Sequence, residues 1–269
     1  MSADIHFARD YASAREKFLA AAKPHAARHR ALQNPLRGPR GEKLYCDAVW
    51  TGPAAAERVL VTLSATHGVE GFCGSGAQTA WFATGAWREI PKDVAQLHLH
   101  AVNPYGFAWL RRVTEDNVDL NRNFVDHVRP YPESPAYEKL HSAICPGEWS
   151  DASRAASAAV LADYAKRNGE FKLQEAISSG QYSHPDGVFF GGHAPTWSHR
   201  TIRTVFAEWL GRAKTIGIVD FHTGLGPRGY GELIGGLPPG HPGHALAQAW
   251  YGAELTSPEM GTSTSPVLH

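Results

Sequence analysis

A histidine and a glutamate three positions apart stand in the run His67-Gly68-Val69-Glu70-Gly71, the only His-x-x-Glu of a chain that has 15 histidines. Imidazole nitrogen and carboxylate oxygen are both good donors to zinc. A loop or first helical turn between them can bring both side chains to one point, and the flanking Gly68 and Gly71 permit backbone conformations that other residues resist. A plain hydrogen-bonded turn explains the pair equally well. A second cluster is Asp220-Phe221-His222. Residues two apart on a strand point to the same side, so His222 could supply a third donor while Asp220 orients it or holds the neighbouring loop. A surface histidine at a strand end is the plainer account. The third cluster runs from Arg111 to Phe124 and contains Asp119-Leu120-Asn121-Arg122-Asn123-Phe124. Asn121 and Arg122 present an amide and a guanidinium fork, suited to gripping a carboxylate. Arg112, nine residues before Asn121, could approach the same place. A charged surface loop, with its arginines paired to Glu115, Asp116 and Asp119, accounts for the same letters.

The elements around these clusters place them at the ends of strands. Phe7, Tyr11, Phe18 and Leu19 among Ala, Arg, Glu and Lys predict an amphipathic helix that ends near Pro24. Asn34-Pro35 and Gly38-Pro39 then mark a turn-rich entry to the body. Strands are predicted over Leu44–Trp50, Arg58–Leu63, Gln96–Val102 and Thr215–Phe221, and helices over Ser75–Phe82, 151–177 and 200–210. This alternation predicts an α/β fold, three layers α/β/α with a mostly parallel central sheet. In such sheets functional groups gather beyond the carboxyl ends of the strands, where HGVEG and DFH fall. No repeat, low-complexity tract or linker stands out. The expectation is one domain over 1–269, with residues 1–40 as an N-terminal helical extension.

Composition narrows the function classes. The 269 residues are 43% hydrophobic and 19% charged, with 26 Lys and Arg against 26 Asp and Glu. That excludes a disordered chain or a coiled coil, and the zero formal charge offers no footprint for nucleic acid or anionic lipid. Cys46, Cys73 and Cys145 are scattered and odd in number, which suits a reducing compartment. The N-terminus lacks the apolar core of a signal peptide, and the apolar runs are strand-sized. A cytoplasmic protein is expected, with no nucleic-acid and no membrane partner. Neither a Gly-x-Ser-x-Gly elbow nor a P-loop is present, which argues against those hydrolase classes.

Taken in order, HGVEG at 67–71, NPYG at 103–106, DLNRNF at 119–124 and DFH at 220–222 resemble the zinc carboxypeptidase superfamily, including its aspartoacylase-like deacylase branch. The resemblance spans about residues 40–235 and points to a bacterial branch of unknown function with carboxypeptidase-like character. It implies one zinc ion held by His67, Glu70 and His222, with a fourth position left open as in a catalytic site. It implies Arg112 as the group that polarises the scissile carbonyl, with Arg111 as its competitor, and Asn121 and Arg122 as the pair that binds the substrate's free carboxylate. The implied partner is a peptide or an N-acyl amino acid; the oligomeric state is open. For the two imidazoles to share an ion they must lie within about a nanometre of each other.

One part of the pattern is not found. The superfamily's general base is a glutamate on a late strand, and after His222 the chain offers only Glu232, Glu254 and Glu259. Glu232 lies ten residues beyond His222, close for that role, and the other two sit in a Pro/Ser/Thr-rich loop. The expectation is a chain lacking the family's last strands, with an exposed apolar sheet edge that favours self-association. This leaves three functions open: a carboxypeptidase-like zinc hydrolase cleaving an amide next to a free carboxylate, an N-acyl amino acid deacylase, and a zinc-containing binding domain without turnover. His98 and His100 alternate on a strand and suggest packing or exposure. His241 and His244 have metal-like spacing without an acidic partner, and Cys73 reads as a buried small hydrophobe.

Overall fold

The computed structural model describes residues 2–265. Its first long element is the predicted amphipathic helix, α1 (Tyr11–Ala22), whose N-terminus is capped by Asp10 accepting from the Ser13 N–H. Tyr11, Ala14, Phe18 and Ala22 form its buried stripe. The structure then corrects the sequence reading. Arg28–Arg37, expected within a helical extension and a turn-rich entry, is the strand β1, antiparallel to β2 (Lys43–Thr51). Pro35 lacks an N–H and is tolerated because β1 lies on the sheet edge. The register shifts between Gln33 and Arg37, around Asn34-Pro35. Turn residues that read as a break in pairing are thus a local irregularity within it.

Strand and helix alternate from there: β3 (Arg58–Ser64), α2 (Gly71–Ala83), β4 (Val94–His100) and the short α3 (Pro104–Ala108). Next come α4 (Pro135–Ile144), α5 (Asp151–Asn168) and α6 (Glu170–Ser178), the predicted helical stretch being interrupted at Gly169, whose φ is +96°. They are followed by α7 (Trp197–Trp209) and β5 (Thr215–Phe221), then the two-residue strands β6 (Leu233–Ile234) and β7 (Leu255–Thr256) on either side of α8 (Pro242–Tyr251). The chain forms two compact units: residues up to Arg129 with Gly191–Thr223, and Pro130–Phe190 with the segment from Gly224. It passes between them at 129–130, 190–191 and 223–224 without the composition shift of a linker, which is why the sequence reads as one domain.

The first unit carries the five-stranded sheet, ordered β1-β2-β4-β3-β5. β2 runs antiparallel to β1 and β4, while β3 is parallel to β4 and β5, so every strand except β2 shares one direction. Residues 97 and 99 of β4 face α7, packing in one cluster with Val61, Ile202, Val205 and Trp209. Residues 98 and 100 point the opposite way, with Phe82 of α2 against His98 and Phe18 of α1 stacked on His100 at 4.4 Å between ring centroids. Helices therefore cover both faces, as the predicted three-layer α/β fold requires. β5 is an edge strand among the described residues, with Ile216 41% and Ile218 53% exposed. No helix of the described residues is long and apolar enough to cross a membrane.

The α1/α2 side of the sheet is polar where it is buried. His98 Nδ1 shares a hydrogen bond with Thr62 Oγ1 at 2.8 Å, and His100 Nε2 one with Ser75 Oγ at 2.8 Å. The other nitrogen of each ring has no hydrogen-bond partner. Burial pushes His98 down to about 3 and His100 to about 4, so both rings are neutral when folded. In the unfolded chain they titrate near 6.5. Between those values the unfolded state binds more protons, so their contribution is complete above about 6.5 and is lost as pH falls towards the folded values. Each ring can add up to about 1.4 kcal/mol per pH unit in that window. Urea unfolding measured from pH 7 to 4.5 should show a steep loss of stability, and His98→Gln should remove close to half of the slope these two rings supply. An unchanged slope in that variant would refute the assignment.

Candidate metal centre

β3, β4 and β5 end at one side of the sheet, and all three sequence clusters lie at or just beyond their carboxyl ends, with Asp220 and Phe221 as the last residues of β5 and His222 directly after it. β3 leads through Thr66 and His67 into a single 3₁₀ turn, Gly68–Glu70, that feeds α2. The turn is fastened by main-chain bonds from Gly68 N–H to the Arg112 carbonyl and from Val69 N–H to the Arg111 carbonyl, both 3.0 Å. β4 leads to Asn103, whose Oδ1 accepts the Gly106 N–H at 2.9 Å while its Nδ2 reaches the Arg112 carbonyl at 3.4 Å. The first motif and the arginine segment are therefore one hydrogen-bonded body. β5 pairs Leu63 with Asp220 and Ser64 with Phe221, which sets His222 beside the start of the HGVE turn.

The two imidazoles meet around Glu70. His67 Nδ1 is 2.9 Å from Glu70 Oε1 and His222 Nδ1 is 2.9 Å from Glu70 Oε2, with ring centroids 4.8 Å apart. This lies well inside the nanometre that a shared ion demands. Each ring's far nitrogen faces an aspartate: His67 Nε2 to Asp119 Oδ1 at 3.1 Å, and His222 Nε2 to Asp220 Oδ2 at 3.0 Å. Asp220 is itself held by the Thr66 hydroxyl, which donates to Oδ1 at 2.8 Å.

The electrostatics follow from this nesting. Burial alone would raise the Glu70 carboxyl, but hydrogen bonds and charge from His222 and His67 outweigh it and bring it down to about 2. Burial alone would lower His222, yet Asp220 and Glu70 carry it up to about 10. Burial likewise opposes ionisation of Asp119, and His67, Arg112 and Arg122 overcome it, holding the carboxyl far below its ordinary range. Carboxylates stay ionised where two imidazoles converge.

His67, Glu70 and His222 offer ligand atoms that all lie within 4.8 Å of one another. Nitrogen and oxygen donors at about 2.0–2.1 Å from a tetrahedral zinc stand about 3.3 Å apart. The observed 2.9 Å contacts would need to open by only a few tenths of an ångström, so the donor set fits a divalent cation.

The arginine cluster divides unequally. Arg112 Nε donates to Asp119 Oδ2 at 2.9 Å and its Nη1 reaches Glu70 Oε1 at 3.4 Å, while 38% of its side chain is exposed. Arg111 is exposed and contributes its carbonyl to the turn, so the structure brings Arg112, not its neighbour, to the donor set. Asn121 is half-buried and gives its backbone N–H to Asp119 Oδ1 at 3.0 Å. Arg122 is 3% exposed, with Nη1 4.0 Å from Asp119.

Asp119 is thus the hub, a larger part than the counter-charge to the loop arginines that the sequence suggests. Its signal was its place in DLNRNF, two residues before the amide N–H it caps. Asn123 is a second residue whose part went unread. Its Nδ2 donates to the Gly191 and Ala194 carbonyls at 2.8 and 2.9 Å, and its Oδ1 accepts the Thr196 N–H at 3.0 Å, pinning the loop into α7. Outside this unit, His241 Nδ1 accepts the Gly243 N–H at the start of α8 and His244 Nδ1 lies 3.0 Å from the Leu237 carbonyl; neither belongs to a donor group among the described residues. Cys73 is half-buried and free.

Comparison with known proteins agrees with this architecture. Residues 7–269 match the model of a family described as "Protein of unknown function (DUF2817)". No curated protein matches the chain. Among solved structures, carboxypeptidase A from Helicoverpa armigera is 14% identical with a TM-score of 0.54, over 96% of this chain and 59% of its own, which shows a shared fold. A putative succinylglutamate desuccinylase/aspartoacylase family protein from Shewanella amazonensis SB2B is 18% identical with a TM-score of 0.35, over 74% and 47%. Thrombin activatable fibrinolysis inhibitor is 11% identical with a TM-score of 0.49, over 96% and 62%. The chain spans less than two thirds of the length of these proteins.

Proposed function

The chain belongs to the DUF2817 family, described as "Protein of unknown function", and from its donor set and the fold it shares with a carboxypeptidase A we propose a zinc-dependent hydrolase that cleaves an amide next to a free carboxylate. The observation that carries this reading is the bracketing of Glu70 by the Nδ1 atoms of His67 and His222, each ring held from behind by an aspartate. Such aspartates fix the tautomer and raise the basicity of the imidazole they orient. A divalent cation bound there would supply Lewis acidity, making water a better nucleophile and an amide carbonyl a better electrophile.

The chain's own residues do the rest. Arg112 is anchored through Nε by Asp119 and keeps part of its guanidinium accessible, so it can stabilise negative charge growing on a carbonyl oxygen. Asn121 would meet the substrate's carboxylate. Arg122 would add buried positive charge beneath it and would have to turn outward to grip it directly. The same carboxylate recognition suits a C-terminal peptide or an N-acyl amino acid.

One observation favours a second reading, a zinc-containing binding domain without turnover. Glu232 is occupied by the Thr256 hydroxyl at 2.7 Å, the Thr264 N–H at 3.1 Å and the Thr264 hydroxyl. Although burial opposes it, these threonine hydrogen bonds bring the carboxyl down to about 2, a weak base at neutral pH. Glu254 and Glu259 are exposed.

The deciding experiment is an assay of the full chain on C-terminal dipeptides and N-acyl amino acids, with and without chelator. Release of the terminal amino acid that chelator abolishes and zinc restores is the expected result. Chelator-insensitive cleavage would overturn the metal, and tight zinc binding without cleavage of either class would leave the binding domain.

A further inference from the structure

The second unit contains its own convergence of metal-ligating side chains. His141 lies on α4, and His184 and Asp186 lie on the loop that follows α6; their ligand atoms fall within 4.8 Å of one another. The two imidazoles are stacked, with ring centroids 3.6 Å apart and planes 15° from parallel. Rings this close can each turn one nitrogen to a common point, and ligand atoms already within 4.8 Å need to draw in little to reach the roughly 3.3 Å between two nitrogens on a tetrahedral zinc.

Three further observations turn the stack into a built site. His184 Nε2 is 2.9 Å from Glu138 Oε2, which leaves its Nδ1 available. This is the carboxylate–imidazole arrangement that orients metal-bound histidines, and it is how Asp119 holds His67 in the first unit. His141 Nδ1 is buried without a hydrogen-bond partner, a cost that burial imposes on any unmet polar atom. The loop is also rigidly placed: fully buried Gln181 accepts the N–H groups of Ser183 and His184 at 3.0 and 2.8 Å, and donates to the His184 carbonyl at 2.8 Å. Glu138 and His141, three apart on α4, share a helix face, and Glu138 is fixed in turn by the Ser183 hydroxyl.

We propose that His141, His184 and Asp186 form a second divalent-cation site, with Glu138 as the positioning residue of His184. Two nitrogens and a carboxylate select zinc or a similar transition metal over calcium or magnesium, which prefer all-oxygen donor sets. As the ion enters, the rings splay from parallel so that one lone pair of each meets it, and the loop is tied to α4. This site shares no residue with His67, Glu70 or His222, so it stands or falls separately from the proposed hydrolase.

Zinc stoichiometry of the full chain tests it, by metal analysis after dialysis and by competition with a chelating dye, scoring only sites with Kd below about 1 µM. Two equivalents are expected in the wild type, one in a His67→Ala/His222→Ala variant and one in a His141→Ala/His184→Ala variant. Glu138→Gln, which leaves all three ligands in place, should keep the second site but weaken it by about 10–100-fold. His241→Ala/His244→Ala should change nothing, and far-UV circular dichroism verifies folding of each variant. If the His141→Ala/His184→Ala protein binds as much zinc as the wild type, or the His67→Ala/His222→Ala protein binds none, the second site is overturned. One equivalent in the wild type that survives His67→Ala/His222→Ala but not His141→Ala/His184→Ala would uphold it and instead remove the metal of the first site.

Discussion

His67→Ala and His222→Ala should each weaken zinc binding at the first site by about 100- to 1,000-fold. Four-ligand structural zinc sites gain about 10–16 kcal/mol, or about 2.5–4 kcal/mol per ligand, and that share goes with the missing imidazole. Asp119→Asn removes no ligand but turns the acceptor behind His67 Nε2 into an amide, and it takes away the charge that Arg112 and Arg122 share. An oriented imidazole that loses its carboxylate costs about 10–100-fold in affinity, so Asp119→Asn should fall between wild type and His67→Ala. Asp119→Ala should go further and compromise folding. It removes the buried carboxylate that faces both Arg112 and Arg122, and losing one partner of a buried ion pair is a class of change that costs about 3–5 kcal/mol. Zinc titration by competition, together with urea unfolding of the metal-free proteins, separates the two effects. Wild-type affinity in Asp119→Asn would mean that His67 is oriented by something other than the carboxylate.

Gly68→Ala is expected to break the site from the backbone. A Cβ on Gly68 would stand 2.0 Å from the Gly106 carbonyl carbon and 2.3 Å from the Phe107 nitrogen, both main-chain atoms with no rotamer to escape into. The turn would have to lift away from α3, breaking the bonds from Gly68 and Val69 to the Arg112 and Arg111 carbonyls. His67 and Glu70 flank this turn, so their donor atoms would part with it. A loss of about 3 kcal/mol or more is expected from such overpacking, with zinc affinity falling alongside. Gly231→Ala is the control, since a Cβ there meets nothing within 4 Å. Near-wild-type stability and zinc binding in Gly68→Ala would show that the close approach to α3 does not fix the turn.

The amino-acid order encodes the local part of the site. His67 and Glu70 are three residues apart and Asp220 and His222 two, so a turn and a strand suffice to put each pair on one side. The strands over residues 58–64 and 215–221 were legible because β-branched runs pack on a pleated sheet whatever their neighbours. Local sequence is silent where the deciding contact is distant. β1 carries Asn34-Pro35, which signals a turn, and becomes a strand only because β2 is there to pair with it. Asp119 meets His67 across 52 positions, and its place in DLNRNF marks a local cap without saying which distant imidazole it will hold. Arg112 rather than Arg111 reaches Glu70 because the first motif hydrogen-bonds to that segment's main chain and fixes which residue faces inward. The stack of His141 on His184 joins a helix to a loop whose letters carry no shared period. Periodicity encodes which side of its own element a residue takes, whereas which distant group it meets is settled only when the sheet and helices pack, because that partner is chosen by the whole chain's burial and not by its neighbours in sequence.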